Sequence, residues 1–84
     1  MRLYLSNLRN EKGYSQRRVA REAHLSYSHY SRLESGDRGG KVTLVVMGRI
    51  ANVLNVSLDV LYKYEEAYLE DLYNKQERNR SNRL

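Results

Sequence analysis

The stretch Ser15-Gln16-Arg17-Arg18-Val19-Ala20-Arg21-Glu22-Ala23-His24-Leu25-Ser26-Tyr27-Ser28-His29-Tyr30-Ser31-Arg32-Leu33-Glu34-Ser35-Gly36 decides the fold. Ser15 is a strong N-cap, and Val19, Ala20 and Ala23 share one face of a helix predicted over residues 16–23. Ser26 caps a second helix over residues 27–35, with Tyr30 and Leu33 inward and Gly36 as its stop. Only His24-Leu25-Ser26 lies between the two. A link that short makes the helices cross steeply and lets the second stand out from the body of the protein. Its outward face carries Tyr27, Ser28, Ser31 and Arg32.

Working outward, Leu5 and Leu8 recur at helical spacing in residues 3–12; Lys12 suits the C-terminal dipole and Gly13 ends the segment. Beyond Gly36, Asp37-Arg38-Gly39-Gly40-Lys41 reads as a loop. Thr43 can cap a fourth helix running to about residue 54, with Leu44, Met47, Ile50, Ala51 and Leu54 inward. The β-branched run there opposes helix, and Gly48 costs up to about 1 kcal/mol, but periodicity over the whole window favours it. Asn55 marks a break, and Ser57 with Asp59 starts a fifth helix. Leu61, Tyr64, Tyr68 and Leu72 form a stripe that prolongs this helix. Residues 75–84 hold no apolar side chain but Leu84 and are expected to fray.

Composition narrows the function classes. Eighty-four residues leave room for one small core, and the absence of proline suits uninterrupted helices. Without cysteine there is no disulfide, thiol nucleophile or Cys-based zinc site. His24 and His29, five residues apart, point about 140° apart on a helix and cannot jointly grip a metal. No Ser/His/Asp spacing or Gly-rich phosphate loop is present, so neither a catalytic site nor a cofactor is expected. Glu65, Glu66, Glu70 and Asp71 lack calcium-loop spacing and read as a solvated face. No apolar run approaches the roughly 18 residues of a membrane span, and no signal-peptide pattern opens the chain, so a cytoplasmic protein is expected.

Charge is uneven. Residues 1–64 carry 11 basic and 5 acidic side chains, a balance of +6, whereas residues 65–84 carry 4 and 5, a balance of −1. A solvated surface accounts for such charge as readily as a nucleic-acid footprint does. Motifs have to separate the two.

Leu8-Arg9, Lys12-Gly13, Ser15-Gln16, Val19-Ala20, Ala23 and Leu25-Ser26, then Tyr30-Ser31-Arg32-Leu33-Glu34-Ser35-Gly36, then Ile50-Ala51 and Leu54-Asn55-Val56-Ser57-Leu58-Asp59 with Leu61, form a series. Spread over about residues 1–62, it resembles the Cro and phage-repressor (XRE) helix-turn-helix family. The resemblance implies an all-α, five-helix, lambda-repressor-like domain over residues 1–64; the stripe that runs past it makes residues 65–84 a helical C-terminal extension ending in a frayed polar tail. It also implies a double-stranded-DNA-binding transcriptional regulator. The second helix of the motif would lie in the major groove and the first across the backbone.

By the same resemblance, Tyr27, Ser28 and Arg32 read base edges, with Ser31 beside them. Arg32 suits a bidentate guanine contact worth about 1–3 kcal/mol. Tyr27 can meet a thymine methyl or bond a phosphate. Gln16, at a helix start whose amides attract anions, is expected on the DNA backbone and as a brace for the recognition helix. Arg17, Ser26, His29 and Ser35 are further phosphate candidates, and Arg38 and Lys41 resemble the family's second phosphate-gripping site. For Arg17, Arg18 and Arg21 plain solvation is the competing reading. Arg9 and Glu34 match residues that pair structurally in the family.

One position departs from the pattern. The family has Gly where this chain has His24, at a residue of left-handed conformation, which costs a non-glycine residue about 1–2 kcal/mol. The stripe Leu61, Tyr64, Tyr68 and Leu72 either packs back on the protein's own globule or forms a partner surface. A homodimer on a near-palindromic operator is the expected arrangement, most simply a repressor that occludes a promoter. The alternative is an antitoxin or immunity-type protein that autoregulates through DNA and binds a protein partner through residues 65–84.

Overall fold

A computed structural model describes residues 1–37 and 42–81, with side chains described through residue 75. Among the described residues every regular element is helical: α1 (Leu3–Glu11), α2 (Gln16–Glu22), α3 (Tyr27–Ser35), α4 (Leu44–Leu54) and α5 (Leu58–Ser81).

Local chemistry sets most of these boundaries. Ser15, Ser26, Thr43 and Ser57 each accept a hydrogen bond from the backbone N–H three residues on, at 3.1, 3.0, 3.2 and 3.2 Å, which satisfies a donor that the first helical turn leaves open. Three C-termini close alike, with a left-handed residue at Gly13, His24 or Asn55. The next amide reaches back five residues in each case: Tyr14 to Arg9, Leu25 to Ala20, Val56 to Ala51. His24 does take positive φ, at 58°.

The core consists of Leu5, Val19, Ala20, Ala23, Tyr30, Leu33, Met47, Ile50, Ala51, Leu54 and Leu61. α3 packs on α1 and α2, and α4 packs on α2 and α5. The chain bends by 119° between α4 and α5, so the long last helix turns back along the body. No single helix among the described residues is long and apolar enough to cross a membrane.

Several expectations need correction. Leu44 shares the inward face of α4 but is 73% exposed. It sits in the first turn, where a side chain leans toward the helix N-terminus and so past the end of the core. Leu61, expected on a partner surface, is wholly buried in the protein's own core. The inward face of α5 is Leu61, Glu65, Tyr68 and Leu72, at spacings of four, three and four; Tyr64 stands at its edge. α5 continues unbroken to Ser81, past the fraying expected from residue 75.

Glu65 belongs to the globule because it holds Arg2, whose side chain is fully buried. Arg2 Nε and Nη2 donate to the two Glu65 carboxylate oxygens at 2.8 and 3.0 Å, and Nη1 donates to the Leu33 carbonyl at 2.8 Å. The guanidinium also lies 4.7 Å from the centre of the Tyr68 ring. Tyr4 donates to Glu65 at 2.6 Å and stacks on Tyr64 with ring centres 5.5 Å apart. Burial first, then the bond to Glu65, pushes the Tyr4 hydroxyl pKa up. The Arg2 backbone N–H donates to the Glu34 carbonyl at 2.9 Å. Arg2 and the first half of α5 therefore meet at the C-terminal end of α3.

Candidate nucleic-acid interface

The motif read from Ser15 to Gly36 folds as two capped helices joined by a left-handed residue, and its inner side is locked. Arg9 Nη2 and Nε donate to the Glu34 carboxylate at 2.8 and 3.0 Å, and Gln16 Nε2 donates to it at 3.1 Å. One buried carboxylate thus ties α1, the start of α2 and the end of α3. Burial alone would raise the Glu34 pKa; the bonds from Arg9 and Gln16 prevail and hold it below the usual carboxylate range. Tyr30 packs beside this cluster, fully buried, and its hydroxyl lacks a hydrogen bond of good geometry among the described residues. Burial, then the nearby Glu34 charge, raises the Tyr30 pKa.

With Tyr30, Leu33 and Glu34 fixed inward, the other side of α3 faces solvent. Tyr27, Ser28, His29 and Arg32 are exposed, and Ser31 is half-buried. The Arg32 guanidinium makes no ion pair or hydrogen bond among the described residues. Ser26, at the N-terminus of α3, accepts from the His29 amide and retains its own hydroxyl proton for another acceptor. Gln16, half-buried at the N-terminus of α2, uses one amide proton on Glu34 and keeps the second.

Ser35 is differently placed from the other phosphate candidates. Its hydroxyl donates to the Arg32 carbonyl at 3.1 Å and accepts from the Asp37 amide at 3.3 Å. It closes the C-terminus of α3, an end that disfavours anions, so it has less to offer a phosphate than Ser26 at the N-terminus. Arg38 and Lys41 lie outside the described residues.

The α2 arginines divide by environment. Arg18 donates to Glu22 at 2.7 Å and lies 3.9 Å from the centre of the Tyr14 ring, so part of its charge is already answered. Arg17 instead lies 4.3 Å from the centre of the Tyr27 ring, bridging α2 to the first residue of α3. This stack has no signature in helical spacing. Nor has the Arg2–Glu65 pair: Glu65, expected on a solvated face, is buried on the inward side of α5 against Arg2.

The arrangement suits binding to a polyanion. Two capped helix N-termini, at Ser15 and Ser26, present open amides beside Arg17, and a rigid exposed helix face carries donors and an aromatic ring. Comparison with curated proteins and with solved structures finds no match. The model of a helix-turn-helix family does match, over residues 5–61, more than half of the chain. On that match and this geometry, the chain belongs to the Cro and phage-repressor (XRE) helix-turn-helix family, a family of DNA-binding transcription-regulator domains and not of enzymes.

Proposed function

We propose that the protein is a cytoplasmic, sequence-specific repressor that binds a near-palindromic operator as a homodimer and occludes a promoter without catalysis. The observation that carries the reading is the two-sidedness of α3. Its inner residues Tyr30, Leu33 and Glu34 are buried, with Glu34 bonded to Arg9 and Gln16, while Tyr27, Ser28 and Arg32 are exposed on the opposite side. Base readout falls to Tyr27, Ser28, Ser31 and Arg32, and phosphate contacts to Gln16, Arg17, Ser26 and His29, with Arg38 and Lys41 completing the clamp by family resemblance.

The dimer reading is supported by α5. Leu61 is unavailable, but Leu58, Tyr62, Leu69 and Tyr73 are exposed and fall within an arc of about 60° on the helix, beside the buried face. Four large apolar side chains on one side of a solvated helix are what a partner surface needs. A second copy places two α3 helices for half-sites about one helical turn apart.

Selection of duplexes from a random pool tests the reading, repeated with Arg32→Ala and accompanied by sedimentation of the free protein. A palindromic motif, a steep fall of affinity with salt and a dimeric mass are expected. Failure to enrich any motif refutes the regulator reading. A monomer that enriches a single half-site refutes the dimer and leaves the readout standing.

A further inference from the structure

Tyr27 has two possible uses on DNA: its ring against a base, or its hydroxyl on a phosphate. The surroundings of the ring distinguish them. Tyr27 is the first residue of α3 and is 43% exposed, and among the described residues its hydroxyl makes no hydrogen bond. Arg17 covers one face of the ring at 4.3 Å. Arg17 itself makes no ion pair or hydrogen bond among the described residues, in contrast to Arg18, which Glu22 engages.

A stacked guanidinium keeps its five N–H donors in its own plane, so the face can rest on the ring while the edge remains free for an acceptor. At this corner a cation and helix amides that suit a phosphate are already present: Arg17 and the N-terminus of α3. A tyrosine hydroxyl adds little to them. The Tyr27 ring, 43% exposed, is the large apolar surface that the first turn of α3 offers beside them. Stacking restricts the ring before binding, which lowers the ordering cost on contact. In the major groove the apolar feature of a base edge is the C5-methyl group of a pyrimidine.

We infer that Arg17 is a positioning residue that holds Tyr27 as an apolar plate for the C5-methyl group of a pyrimidine, while its own guanidinium edge takes the adjacent phosphate. The inference rests on α3 being the DNA-reading helix. Thymine and 5-methylcytosine present the same methyl group, so both are sources of the ligand.

The test uses the whole chain and the duplex that it enriches from a random pool. Each thymine is replaced singly by uracil, and each cytosine singly by 5-methylcytosine, with affinity read by fluorescence anisotropy. At one pyrimidine per half-site, presence of the methyl group should tighten binding by about 4-fold, the worth of one buried carbon. Thymine sensitivity in the first arm, or methylcytosine sensitivity in the second, identifies the source. Tyr27→Phe should keep the methyl effect and Tyr27→Ala should abolish it. Arg17→Lys preserves charge but not the planar stack, so it should lose most of the methyl effect while keeping the salt dependence. Both residues are exposed, and thermal melts of each variant establish that it is folded.

A duplex motif without methyl dependence at any position overturns the inference, as does full methyl dependence in Arg17→Lys or its loss in Tyr27→Phe. If no motif is enriched, the DNA-reading assignment falls first and this inference falls with it.

Discussion

Glu65→Ala should nearly unfold this protein, although Glu65 lies beyond the region matched by the family. Arg2 and Glu65 have side chains 0% and 9% exposed and share two hydrogen bonds. Removing the carboxylate leaves a buried guanidinium with the Leu33 carbonyl and the Tyr68 ring beside it, and strips the Tyr4 hydroxyl of its acceptor. Breaking such a pair costs about 3–5 kcal/mol. At 0.05–0.15 kcal/mol per residue, a chain this long holds only about 4–13 kcal/mol in total. The melting temperature should fall by roughly 12–40 °C, at 4–8 °C per kcal/mol for a domain of this size. Urea titration followed by circular dichroism measures the loss directly. Arg2→Met combined with Glu65→Leu removes both charges and should recover at least about 2 kcal/mol relative to Glu65→Ala. A loss below about 1 kcal/mol in Glu65→Ala would falsify the burial of this pair.

His24→Gly relieves a positive φ of 58° and should stabilise the protein by about 1 kcal/mol without changing DNA affinity; a lower melting temperature refutes the strain argument. Gly36→Ala should be more damaging than Gly13→Ala. Both glycines have positive φ, but a Cβ at Gly36 would come within 2.6 Å of the Tyr68 hydroxyl and 3.0 Å of the Met1 nitrogen, whereas at Gly13 it meets nothing within 4 Å. Equal losses in the two variants, each of about 1 kcal/mol, would show that the crowding relaxes freely. The Glu34 pKa is lowered by folding, so its contribution to stability is present above the ordinary value of 4.5 and is lost as pH falls through the lower folded value. Urea titrations below pH 4.5 should show that decline, and Glu34→Gln, though less stable at neutral pH, should flatten it.

The helix-turn-helix was legible because its signals are local. Ser15, Ser26, Thr43 and Ser57 announce helix starts, and apolar spacing marks the buried side of every helix through α4 apart from Leu44. Even the strained turn at His24 could be read, from the glycine that the family has at that position. Less was legible in α5. There a stripe through Tyr64 competes with one through Glu65, and the choice depends on Arg2, a partner distant in sequence whose position no periodicity predicts. The outward set on α3 follows from the inward set by geometry. Which arginine of α2 would lean across to that helix does not, since Arg17, Arg18 and Arg21 have equal claims on paper.

The Arg2–Glu65 clasp joins residues 63 positions apart, and the segment it encloses contains the entire α2–α3 motif. Contacts between α2 and α3 form within a short loop and need little chain closure; the clasp has to wait until α1, α3 and α5 are already assembled. Interactions completed after the folding barrier act on the escape rate from the native state and not on the rate of reaching it. If the clasp closes after that barrier, Glu65→Ala should raise the unfolding rate far more than it lowers the folding rate in stopped-flow measurements. A weakened clasp then shortens the lifetime of the folded domain while leaving the speed of folding nearly untouched.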